Sequence, residues 1–162
     1  MLKNFRLSLA LATLTLVSSL GVASKASADT ATVTISEDVP ATCLFNDATK
    51  TSGTLGYNIA DKTLDTASES GNTGSISVLC NAAGSISITA VTPTIPAGMT
   101  QSSLTATISD GSDTATHNGT TPTGTITLAS GTEDITVGLN VQYSEILAPG
   151  NYSYAIELTA NP

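Results

Sequence analysis

Tryptophan is absent, histidine occurs once, and basic residues number only five. The shortage of positive charge excludes the most. Lys3, Arg6 and Lys25 all precede residue 29, so Asp29 to Pro162 carries two lysines, no arginine and all 13 acids, a net charge of −11. Nucleic-acid binding draws its affinity from Lys and Arg neutralising phosphates, so this composition argues against it, and equally against anionic membrane surfaces. A strong negative charge suits an exported, self-repelling chain. Few aromatics and no Trp leave no platform for a sugar ring. The one histidine lies in Thr116-His117-Asn118-Gly119, a polar stretch with no Ser or Cys nucleophile beside it, and reads as a solvated loop residue. No Gly-x-Ser-x-Gly elbow, His-Glu-x-x-His or phosphate loop is present. An enzyme is therefore not expected, nor a cofactor. The acids of Asp110-Gly111-Ser112-Asp113 and Glu133-Asp134 offer hard oxygen ligands, but their spacing is not that of an EF-hand loop, and they read as turn and strand-end residues rather than a calcium site.

What is present begins with an export signal. Lys3 and Arg6 precede an apolar run from Leu7 to Val22, and Ala26-Ser27-Ala28 is a small-x-small cleavage site. This is the layout of a secretory signal peptide over residues 1–28, and the run is short and interrupted for a transmembrane anchor. No later segment reaches membrane-spanning length. In an exported chain, the two cysteines, Cys43 and Cys80, are expected to form a disulfide. Closing 36 intervening residues would stabilise the fold by about 3–4 kcal/mol in the chain-entropy account.

Ser and Thr make up about 30% of the chain, so a core must come from Val, Ile, Leu and Ala. Those residues alternate. Ala31, Val33, Ile35, Val39, Ala41 and Cys43 share odd positions. Ile76, Val78 and Cys80 alternate next, then Ile86, Ile88 and Ala90 after Asn81-Ala82-Ala83-Gly84. Leu104, Ala106 and Ile108 precede the hairpin pair Asp110-Gly111. Ile126 and Leu128 follow Thr121-Pro122-Thr123-Gly124, and the longest run is Ile135, Val137, Leu139, Val141 and Tyr143. After the turn Pro149-Gly150-Asn151 come Tyr152, Tyr154, Ile156, Leu158 and Ala160. Residues 58–74 read as a connecting loop with a short helical turn around Ala67. Seven or eight strands with frequent turns predict an all-β antiparallel sandwich.

Several blocks fall in a telling order: a strand-like stretch before Cys43, then Gly53-Thr54-Leu55-Gly56-Tyr57, then Gly74-Ser75-Ile76-Ser77-Val78-Leu79-Cys80, and lastly Pro149-Gly150-Asn151-Tyr152 before a final strand. In this order the chain resembles the spore coat protein U-like family, which includes pilins of archaic chaperone–usher systems. The chain departs from that pattern at its last residues, Thr159-Ala160-Asn161-Pro162, where family members often end in an aromatic or apolar residue.

The resemblance implies an immunoglobulin-like sandwich lacking one strand, completed by the N-terminal segment of a neighbouring subunit. Residues 43–162 would be the sandwich and residues 29–42 the donor extension, inserting Ala31, Val33, Ile35 and Val39. Glu37 interrupts that apolar series, so insertion is expected to end near Ile35 or to hold Glu37 at the rim. The implied partners are identical subunits head to tail, with a periplasmic chaperone and outer-membrane usher, and the implied location is the periplasm and then the cell surface. The implied role is a structural fibre or coat subunit supporting adhesion or biofilm formation. The alternative is a self-complete secreted sandwich acting as a binding module, with residues 30–42 as its own first strand.

Overall fold

The computed structural model describes residues 31–162, so the expected signal peptide and residues 29–30 lie outside the described residues. The chain divides after Glu37, and Asp38–Pro162 forms a compact unit. That unit is built from strands β1 (Cys43–Thr51), β2 (Gly56–Asn58), β3 (Thr63–Asp65), β4 (Gly74–Cys80), β5 (Gly84–Thr94), β6 (Gln101–Ser109), β7 (Thr114–His117), β8 (Pro122–Thr123), β9 (Ile126–Leu128), β10 (Gly131–Tyr143) and β11 (Ser153–Asn161). No helix occurs among the described residues.

The expected all-β sandwich is the architecture found. β10, at 13 residues the longest strand, is the spine of the larger sheet, ordered β1-β4-β10-β6-β7-β8. β6 covers one edge of β10. The other edge is shared: Gly131–Val137 pair with β4, and Asn140–Gln142 pair with β3, which in turn pairs with β2. The smaller sheet is ordered β11-β5-β9. Every pairing is antiparallel, as hairpins and short returns allow.

The core lies between the inner faces. Ile86 and Ile88 of β5 and Ile126 and Leu128 of β9 meet Val78, Ile108, Ile135 and Val141 from the larger sheet, each at most 1% exposed. Each such side chain contributes roughly 1.5–3 kcal/mol by leaving water. The alternation that specifies this face is interrupted once. Leu158 pairs with Ile88 and Glu157 with Ala90, so Thr89 is an extra residue in β5. Beyond this bulge the inward phase passes from Ile88 to Val91, which packs against the core in place of the expected Ala90.

The disulfide joins the first residue of β1 to the last of β4, and these two residues face each other in the register. Just past it, Asn81 holds the approach to β1. Its backbone N–H donates to Thr42 O, its Nδ2 donates to Pro40 O, and its Oδ1 accepts from Thr42 N–H. At the same end, Gly84 admits close contact: a Cβ there would lie 2.5 Å from Asn161 O and 3.0 Å from Cys43 Sγ. The start of β1 therefore sits beside the end of β11.

Residues 31–42 hold no strand, despite their alternation. Two expectations are corrected. The stretch 58–74 is not merely a loop: it carries β3, whose partner in β10 is distant in sequence, and the segment around Ala67 is a hydrogen-bonded turn with no helix. His117 is not solvated. It is 3% exposed in β7, and its Nδ1 accepts the N–H of Gly119. A turn-like local sequence concealed β7, which forms because Thr114–His117 pair with Ala106–Ser109.

Candidate functional site

Two edges of the sandwich differ in how they close. On one side the chain passes from β8 in the larger sheet to β9 in the smaller one through Gly124-Thr125, so the sheets are joined. On the other side stand β1 and β11, each the end strand of its sheet and each paired on one side only. Between them runs a groove of about 700 Å³.

The groove is apolar because the inward phase of both sheets continues into it. β11 supplies Ile156 and Leu158, extended by Tyr154 and by Tyr152 just before the strand. The larger sheet supplies Phe45, Leu55, Ile76 and Val137. All eight are only partly buried, whereas the same inward phase on the first half of β5, on β9 and on much of β10 is fully buried. The apolar faces are thus formed but uncovered, and each flanking edge carries backbone donors and acceptors without a strand partner.

The local structure keeping the groove open can be traced to particular residues. β1 pairs with β4 only at Cys43–Asn46 and again at Thr51, and residues 47–50 loop out of the ladder. Thr49 compensates: its Oγ1 accepts the Ser77 N–H that the ladder leaves free. The loop brings Asp47 and Lys50 to the groove wall. Gly53 and Gly74 then pass at close range, where a Cβ on Gly53 would lie 2.7 Å from Asn72 O and one on Gly74 would lie 2.9 Å from Thr51 O. Their contact allows the bridge between Thr54 and Asn72, which directs Leu55 into the groove.

The tyrosines close one end. Tyr143 is buried and packs edge-on against Tyr152, with ring centroids 5.7 Å apart. Its hydroxyl shares a hydrogen bond with that of Tyr154, which also accepts from Gln101 Nε2. Burial, followed by the bond to Tyr143, raises the Tyr154 phenol above its ordinary range. Tyr152 and Tyr154 are inner-face residues, as their parity predicts, and they also line the groove.

The four residues assigned to insertion are exposed in the described chain: Ala31 is open to solvent, Val33 is 83%, Ile35 93% and Val39 77% exposed. Cys43 and Cys80 are bonded as expected. The acids weighed for calcium serve local roles. Asp110 Oδ1 accepts the N–H groups of Ser112 and Asp113, the bonds that lower its pKa, with Asp113 the larger influence. Glu133 accepts from Ala129 N–H and Asp134 from Ser77 Oγ. No group of three or more metal-binding side chains occurs among the described residues. The groove residues themselves escape a linear reading, since they share the parity of the core and only the strand order exposes them. No protein-family model matches the chain, and no curated protein matches it.

Proposed function

We propose that the protein is an exported structural subunit that polymerises by strand addition, giving a fibre or coat at the cell surface that supports adhesion or biofilm formation. One observation carries the reading: an uncovered apolar groove between two unpaired strand edges, in a chain whose own alternating segment, residues 31–39, lies exposed and outside any strand. Each half supplies what the other lacks. A strand laid in the groove satisfies backbone groups on both edges and buries alternate side chains. Covering Val33, Ile35 and Val39 alone would contribute roughly 5–8 kcal/mol of gross burial. These features favour the resemblance to archaic chaperone–usher pilins and an immunoglobulin-like sandwich short of one strand. They favour it over the self-complete binding module, whose first strand would occupy that place.

Sterics favour one direction of insertion. The extension joins the body at Cys43, beside the end of β11. A donor parallel to β11 would bring two such ends together, where the acceptor's own extension departs. An antiparallel donor enters from the tyrosine end and leaves the acceptor's extension free. Head-to-tail contact of this kind does not close, so it yields a filament. Before assembly the open groove calls for a cover of the same strand chemistry, which is the role a periplasmic chaperone would fill ahead of an outer-membrane usher.

The test is an SDS gel of the exported protein, unheated and boiled, beside a variant lacking residues 30–42. A ladder of multimers that collapses on boiling and is missing from the shortened chain is the expected result. A single monomer band throughout, with the shortened chain unable to fold, would replace this reading with the self-complete module.

A further inference from the structure

The donor series Ala31, Val33, Ile35, Glu37, Val39 has one member that an apolar groove should reject. A carboxylate taken from water without a partner is strongly unfavourable, so Glu37 either limits insertion or meets a cation. Cations are scarce. Beyond residue 28 the chain has only Lys50 and Lys62. Lys62 is engaged, donating from Nζ to Ser144 O at 2.9 Å. Lys50 lies on the groove wall, on the looped-out stretch of β1, and is exposed there.

The lengths agree as well. Ala31 to Val39 and Tyr152 to Ala160 each span eight residue steps, about 27 Å of extended chain. Lys50 stands at the level of Ser75–Ser77, three to five residues from the disulfide end of β4, or about 10–17 Å along it. In an antiparallel donor with Ala31 or Val33 at the Ala160 level, Glu37 falls about 13–20 Å from that same end. The flexible four-carbon stem of lysine spans the remaining difference. Asp47 shares this wall, so without Lys50 the inserted carboxylate would face only a like charge.

We propose that Lys50 receives Glu37 of a second copy of the chain, and that this charge pair sets the register of the inserted strand. The inference rests on the strand-addition reading above. It makes Glu37 a register-setting residue of the donor, carried to full depth, rather than the point where insertion stops.

Charge reversal separates the possibilities. Lys50→Glu and Glu37→Lys are each expected to reduce the SDS-resistant ladder on the order of tenfold or more when alone. Mixed, they should restore it, since each donor then meets a groove of opposite charge, and the filament must strictly alternate. The double variant carrying both changes should also polymerise. Lys62→Glu, which alters net charge equally, should leave the ladder intact. If the wild type forms a ladder that Lys50→Glu leaves unchanged, or if neither the mixture nor the double variant regains multimers, the pair is overturned while strand addition stands. If the wild type forms no ladder, strand addition itself fails.

Discussion

At the scale of single residues, Thr66 shows how a small side chain completes a sheet. β4 follows one edge of β10 as far as Val137, and β3 resumes at Asn140, so the Leu139 backbone would be left without a strand partner on that edge. Thr66 fills the interval. Its N–H donates to Leu139 O, and its Oγ1 accepts the Leu139 N–H at 2.9 Å. Thr66 is buried, so water cannot replace the hydroxyl. Thr66→Val keeps the shape and strands that N–H, which should cost about 1–3 kcal/mol. Thr66→Ser keeps the acceptor and should cost less than about 1 kcal/mol. Urea denaturation of the two variants decides the matter, and equal losses would mean that the methyl packing rather than the hydroxyl holds the site.

At the scale of elements, β11 and β5 lie side by side with the same inward phase but different cover. Ile86 of β5 is fully buried, while Ile156 of β11 looks into the groove half-covered. Ile86→Ala should therefore cost the folded subunit about 2–5 kcal/mol. Ile156→Ala should cost it about 1 kcal/mol, since that side chain has left only part of its surface in the fold. The strand-addition proposal reverses the ranking for assembly, with Ile156→Ala expected to weaken the ladder at unchanged fold. Comparable destabilisation of the unassembled subunit by both changes would mean that the groove is covered within the subunit.

The sequence conveys only part of this. Alternation reveals β4, β6, β9, β10 and β11, and the expected export signal suggests the disulfide, because those signals are local. It conceals β3 and β7, whose short runs become strands only through distant partners, and it misplaces Ala90, because a single bulge at Thr89 flips the face. Ile76 and Val137 look like ordinary core residues until the strand order leaves β1 and β11 at the margins. A segment such as 31–39 reads as a strand in any context, since alternation states which face is apolar and not which chain will cover it.

At the scale of the whole molecule, the proposed strand addition would make folding and assembly one equilibrium. The disulfide links β1 to β4, constraining one wall of the groove, but no covalent link ties β11 to that wall, so the subunit alone keeps two walls that no strand joins. A ligand that binds only the folded groove stabilises the subunit by mass action, by about 2.7 kcal/mol at a hundredfold excess over its dissociation constant. A synthetic peptide of residues 30–42, added to the variant lacking them, should act as that ligand. The melting temperature should rise with peptide concentration, and the peptide should also cap full-length subunits and shorten their ladder. A peptide of the same composition with the apolar phase shifted by one residue should do neither, since a one-residue slip turns Val33 and Ile35 to solvent. Equal stabilisation by the two peptides would mean generic apolar adsorption, and no stabilisation by either would mean that residues 30–42 do not bind the groove.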